Sequence, residues 1–306
     1  MSVPAAYIAV IIVWTTTPLA IRWSVEGAGV WESAALRMTL GAFVAGNLLA
    51  LMGRGLRLNR TTVPVYLISG FSIFMAMGLI YWAAARIPSG WISVIFGLVP
   101  IATGLFAAPV LGERIWVVPR IAGLLLGVIG LAVVFLEARG MAAGTARGIV
   151  AVVLAVLIHA GSSVWIKSLG VRIPALAVTT GGLWVAAPLL LLAWALSGDG
   201  VRVPDVRSAA AISYLGIIGS VLGFSLYYYV LKHVEAVRVA LITLITPISA
   251  LFLGHLLAAE PLTARVLLGT SLVILGLVAF ESRILLGHVR ARLRGRGGGR
   301  APAESG

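Results

Sequence analysis

The sequence predicts an all-α integral membrane protein of ten transmembrane helices, arranged as two inverted five-helix repeats. Three observations carry this reading. Of 306 residues, 60% are hydrophobic and only 11% charged, against roughly 45–50% apolar and about a quarter charged in a soluble domain. The apolar residues form long continuous runs, unlike the alternating segments of about ten residues in a membrane β-barrel. A pattern of residues in the first half also returns at a constant offset in the second.

A hydrocarbon layer about 30 Å thick is crossed by roughly 20 apolar residues in a helix, which satisfies every backbone group internally. The first run lies near 4–23; "MSVPAAYIAVIIVW" lacks a basic leader and a clean cleavage site, so it reads as a retained span. The second, 33–52, carries Arg37 and ends at "GRGLRLNR". The third, 63–85, ends on Tyr81 and Trp82, and the fourth, 88–111, contains Pro100 and leads to Glu113. The fifth, 116–136, contains Gly123 and Gly127, a small-residue step that suits close helix contact. The sixth and seventh lie near 147–167 and 174–196; the eighth, 208–231, has the step Gly219 to Gly223 and Tyr228. The ninth, 236–258, contains Pro247 and leads to Glu260, and the tenth is 263–282. No connection is long enough for a soluble domain.

Pro100 and Pro247, Glu113 and Glu260, and Tyr81 and Tyr228 are each 147 positions apart. Between them "YWAAARIPSGWISVIFGLVP" matches "YYVLKHVEAVRVALITLITP" in the order of its features, and "WTTTPLAIR" in run one can be laid on "HAGSSVWIK" in run six. The expected division is a first repeat at 1–140, a second at 141–287, and a basic, unstructured tail at 288–306. Five spans are an odd number, so the second copy must enter from the opposite side, as in many transporters. Prolines matched in both halves point to a site near the bilayer midplane, where freed carbonyls line a cavity; otherwise each merely kinks a packing helix.

The net charge is +13, and six of the arginines lie in the tail after the last run. Such a tail reads as a cytoplasmic anchor beside anionic lipid rather than a nucleic-acid site, and an even span count then places both termini in the cytoplasm, in a plasma or inner membrane. There are no cysteines, which excludes disulfides and thiolate chemistry. No cofactor or metal site is expected, and the oligomeric state is not readable.

"SAALRMTLGAF", the segment Tyr81 to Ile115, and "YYYVLKHVEAVRVALITLITPISALFLGHLLAAEPLTARVLLGTSLVILGLVAF" carry a resemblance. Over about residues 5–283 the chain resembles the EamA-type transporters of the drug/metabolite transporter superfamily. The resemblance implies ten helices in an inverted repeat and movement of small organic metabolites, commonly export. It also implies that Arg37, Pro100, Glu113, Pro247 and Glu260 are structural or gating residues more than cargo ligands.

Residues that touch cargo should share a helix face at spacings of three and four. Run one offers Trp14, Thr17 and Pro18; run six His159, Ser162 and Ser163; run nine Thr243, Thr246 and Pro247; run four Ser93, Phe96 and Pro100. Tyr81, Trp82 and Tyr228 sit nearer one membrane surface. The bland alternatives are helix-interface hydroxyls for Ser and Thr and belt residues for Trp91, Trp116, Trp184 and Trp194. Arg37 is expected to snorkel outward, toward Glu32, although an intramembrane cation is a functional candidate by default. Glu113 and Glu260 are expected just before the next helix, near its positive N-terminus.

No span carries a mid-depth carboxylate, which disfavours proton-for-cation antiport through an acid. Proton coupling, where it exists, falls to His159. The aromatic and hydroxyl lining suits amino acids or related neutral or zwitterionic solutes, moved outward by alternating access. An uncoupled facilitator or exchanger, a channel, and a carrier of phosphate-bearing metabolites stay open. A membrane enzyme built on His159 with Ser162 or Ser163 lacks an orienting acid, so no catalytic residues are assigned.

Overall fold

A computed structural model describes residues 2–113, 117–138, 144–223, 226, 230 and 236–297, with the backbone alone at 236–241, 243, 281 and 283–297. Every regular element described is helical. In chain order these are α1 (Val3–Ala28), α2 (Val30–Leu51), α3 (Thr62–Ala84), α4 (Ser89–Phe96), α5 (Val99–Leu111), α6 (Val118–Ala138), α7 (Thr145–Ser168), α8 (Ala175–Ser197), α9 (Val206–Tyr214), a π-helical segment π1 (Leu215–Leu222), α10 (Ala236–Ala258) and α11 (Ala264–Gly297). Among the described residues, seven helices are long and apolar enough to cross a bilayer, and three shorter apolar helices, Val206–Leu222, Leu244–Ala258 and Ala264–Phe280, follow. The last helix continues through Gly297, into the segment that the sequence marks as a basic tail.

Large apolar side chains cover the outside of these helices, including Phe43, Leu125, Leu192 and Leu268. In water such a surface would drive association; against lipid it is the expected exterior. The chain is therefore a multi-pass membrane protein.

The punctuation follows local chemistry. α1 and α2 are joined by Gly29 alone, whose φ of 85° lies in a region that a side chain rarely adopts. Asp205 caps α9, its carboxylate accepting from Ser208 N–H at 2.9 Å. The Ser208 hydroxyl and N–H hold that carboxyl below its ordinary range.

The fourth run is two helices. α4 ends at Phe96, and α5 begins at Val99 with Pro100 in its first turn. Proline has no N–H and clashes with the carbonyl four residues back, but its missing donor is harmless in a first turn. Breaking the run just before Pro100 is therefore the low-strain solution. Pro18 and Pro247, by contrast, sit inside continuous helices.

α3 packs on α7 and α8, α5 on α7, α1 on α9 and α10, α2 on α8 and π1, and α4 on α10. α6 and α11 pair closely, to one side. A Cβ on Gly123 would lie 2.5 Å from Gly276 O, and one on Gly130 would lie 2.6 Å from Gly269 O, so the two helices run antiparallel with their backbones in contact. α4 and α10 are antiparallel too: Ser89 lies by Gly254, Gly90 by Leu251 and Gly97 by Pro247. The small-residue step at Gly123 thus meets another helix, as expected. In the eighth run Gly223 also packs on another helix, since a Cβ there would lie 3.1 Å from Val13 of α1, while Gly219 faces Arg37 and Thr17.

Candidate functional site

Two groups of polar side chains inside the bundle contain residues expected to line a site. The first is centred on Arg37. Ala34, Met38, Gly41 and Ala45 form the inward face of α2, and Arg37 shares it, with 4% of its surface exposed. Its Nε donates to Ser220 Oγ of π1 at 3.3 Å, and a terminal nitrogen donates to Tyr81 OH of α3 at 3.5 Å. Gly219 beside it faces both Arg37 and Thr17. The Thr17 hydroxyl donates to Val13 O at 2.6 Å, and Thr16 shares a 2.6 Å hydrogen bond with Tyr214 OH. The outward course expected of Arg37 is therefore not taken. Glu32 instead accepts from the backbone N–H of Arg202 at 3.0 Å, where it also favours the positive start of α2.

The second group joins α4, α7 and α3. The His159 ring lies 6.4 Å from that of Phe96, tilted by 45°. α7, which carries His159, packs on α3, α4 and α5. Ser162 donates to Ser72 Oγ at 2.7 Å, and both Ser162 and Ser163 reach back to His159 O. These hydroxyls serve backbone and interface in this structure, the ordinary role of serine in a membrane helix.

The other expected lining residues fall nearby or outside these groups. Trp14 packs on a small apolar cluster of Ala6, Val10, Leu226, Val230 and Ile242. Ser93 and Thr246 are buried, and Pro247 lies against Gly97 at the break in the fourth run. Tyr81 is fully buried beside Arg37, and Trp82 stacks under Arg86 at 3.6 Å. Trp91 is 1% exposed, a core residue and not a belt residue. Tyr228 and Trp116 lie outside the described residues, as does the Thr243 side chain.

Two of the ion pairs that join the halves of the chain occupy matching positions in them. Glu260 accepts from Arg22 at 2.6 Å and from the N–H groups of Ser89 and Gly90, at 2.7 and 3.1 Å. It thus sits at the N-terminus of α4, where the helix dipole favours an anion, and not at that of the helix that follows it. Arg22 also pairs with Glu26, and Glu26 with Arg207. Glu113 pairs with Lys167 at 3.1 Å, far more exposed than the first pair. Among the described residues no group of three or more His, Asp or Glu could hold a metal ion.

A family model described as the EamA-like transporter family matches the chain twice, at residues 2–136 and 146–280. The chain belongs to the EamA-like transporter family. It is 27% identical, over 92% of its length and 93% of the relative's, to a probable terminal-alkyne amino-acid exporter of Streptantibioticus cattleyicolor. It is 25% identical, over 88% of its length and 91% of the relative's, to a probable amino-acid metabolite efflux pump of Salmonella typhimurium. A solved structure titled "Crystal structure of protein" shares the fold at a TM-score of 0.65 and 22% identity, covering 92% of this chain and 97% of that one. This EamA-like chain is a transporter of small molecules in a membrane, and its family speaks for a non-enzymatic role.

Ser220, Ser72, Tyr214 and the partners Arg22 and Lys167 were not singled out from sequence as site residues. Ser220 had a signal: it is the one polar residue in the glycine-rich stretch "GIIGSVLGF". Arg22 and Lys167 had a weaker one, as the cations that end the two matched segments of runs one and six.

Proposed function

We propose that this transporter is a ten-span protein of two inverted five-helix repeats that exports amino acids or related zwitterionic metabolites by alternating access. The observation that carries the reading is the pair of ion pairs. Each joins the end of the fourth span of one repeat to the end of the first span of the other: Glu113 with Lys167, and Glu260 with Arg22. Exchanging the repeats converts one pair into the other. The antiparallel pairings of α6 with α11 and of α4 with α10 support the same inversion, because equivalent helices of inverted repeats must run in opposite directions.

The two pairs differ as the two ends of an alternating-access carrier should. The Glu260 end is sealed, with that carboxylate 3% exposed, and the Glu113 end is open to solvent. The first half of the fourth span packs on α10, while α5 makes its main contact with α7. In this reading the carrier is open at the Glu113 end, the cytoplasmic end if the basic tail is inside. The relatives' names support an amino-acid-like cargo. His159 is the candidate for proton coupling, and 1–140, 141–287 and 288–306 are the proposed first repeat, second repeat and tail.

Counterflow in proteoliposomes tests this. Unlabelled amino acid inside should accelerate entry of the labelled one, and ion-like conductance without trans-acceleration would make the protein a channel. His159→Ala is expected to slow exchange about tenfold with normal membrane insertion; an unchanged rate removes His159 from the path.

A further inference from the structure

Among the described residues no carboxylate pairs with the buried Arg37. The described carboxylates are engaged elsewhere or exposed: Glu26 and Glu260 with Arg22, Glu32 with Arg202 N–H, Glu113 with Lys167, Glu137 with Arg265, Asp205 with Ser208, and Asp199 in an exposed loop. Arg37 has two neutral hydroxyls, both at long range, at 3.3 and 3.5 Å. A guanidinium carries five donors and is always charged. Removing it from water costs several kcal/mol or more unless an anion pairs with it. A snorkelling route was available and is not taken, so the membrane interface is not its partner.

The wall facing Arg37 is unusual as well. Ser220 belongs to π1, a π-wound stretch of eight residues, and its hydroxyl reaches back to Leu215 O at 3.0 Å. π-Helical turns are rare and occur frequently at functional sites. Gly216, Gly219 and Gly223 lie in or beside this stretch, and Gly219 faces both Arg37 and Thr17, which a Cβ there would approach to 3.7 and 3.9 Å.

We infer that Arg37 receives the carboxylate of the transported molecule, with Tyr81 and Ser220 holding the guanidinium until cargo arrives. This rests on the amino-acid reading above and specifies its recognition chemistry. A planar monocarboxylate matches one guanidinium in a two-point contact. A phosphate dianion would call for a second cation, and no Lys or other Arg is described as bonded within this group. Cargo binding replaces two long neutral contacts by one charge-assisted pair, so an empty carrier is left with an uncompensated charge.

The test uses the full chain in liposomes. Each neutral L-amino acid is screened by counterflow, and the one that exchanges best is competed with its own amide and with an organic monophosphate of similar size. In the wild type the amide should compete at least tenfold more weakly than the acid. Arg37→Gln, monodisperse by size exclusion, should raise KM about tenfold and erase the acid–amide difference, while Arg37→Lys retains part of it. The competition on wild-type protein decides the matter even if the variants do not fold. An amide as effective as the acid, a stronger effect of the monophosphate, or a preference that survives Arg37→Gln overturns the assignment of Arg37 alone. Exchange of no amino acid overturns the amino-acid reading together with it.

Discussion

Glu260→Gln is expected to abolish most exchange activity and to lower the melting temperature of the purified protein. The carboxylate is nearly inaccessible and accepts three bonds, from Arg22, Ser89 N–H and Gly90 N–H. Glutamine keeps the size but replaces one acceptor oxygen by a donor amide, which would face another donor on either side. Removing one partner of a buried pair costs about 3–5 kcal/mol. The matching change Glu113→Gln should cost about 0–1 kcal/mol, because Glu113 and Lys167 are solvated. Reversing the buried pair, with Arg at 260 and Glu at 22, should not rescue activity. A cation would then face the N–H groups at the start of α4, whose dipole repels it. Equal melting points for Glu260→Gln and Glu113→Gln, or full rescue by the reversal, would show that the two ends are equivalent in this state.

Gly123→Ala should be the second large effect, and on stability rather than on transport. The added Cβ would lie 2.5 Å from Gly276 O and 2.7 Å from Phe280 N. Both obstacles are backbone, so α6 and α11 must separate rather than repack a side chain. Overpacking of this kind costs about 1–3 kcal/mol. Gly161→Ala provides the control, since its nearest neighbour is Phe106 at 3.7 Å. There the entropic gain of alanine over glycine in a helix, about 0.5–1 kcal/mol, should leave stability level or slightly raised. Thermal unfolding in detergent with a size-exclusion readout compares the two, and equal stability would remove the close pairing of α6 and α11.

Much of the architecture could be read from residue order because bilayer thickness imposes one length on every span. The predicted first seven runs agree with the helices to within a few residues at most ends. The glycine step at Gly123 announced a backbone contact, though not its partner Gly276. Pro100 announced an interruption, but the break at Gly97 and Leu98 depends on where a new first turn can absorb the proline, and Pro247 produces none. Polarity marked Arg37 as unusual, but its direction did not follow from sequence, because an interface and an interior partner are equally reachable for so long a side chain. Tyr81 and Ser220 lie 44 and 183 positions away from it. Ser162 and Ser163 show the converse: correct spacing for a shared face, but hydroxyls turned to backbone and to Ser72. Spacing defines a face of one helix, whereas a site is made of faces from several.

The chain contains no cysteine, so one introduced thiol reports alone. Ser2→Cys and Arg147→Cys, each in sealed right-side-out vesicles, should respond oppositely to a membrane-impermeant maleimide: Arg147→Cys labelled from outside, Ser2→Cys only after permeabilisation. Labelling of both from the same side would mean that an even number of spans separates them, and the second half could not be an inverted copy of the first.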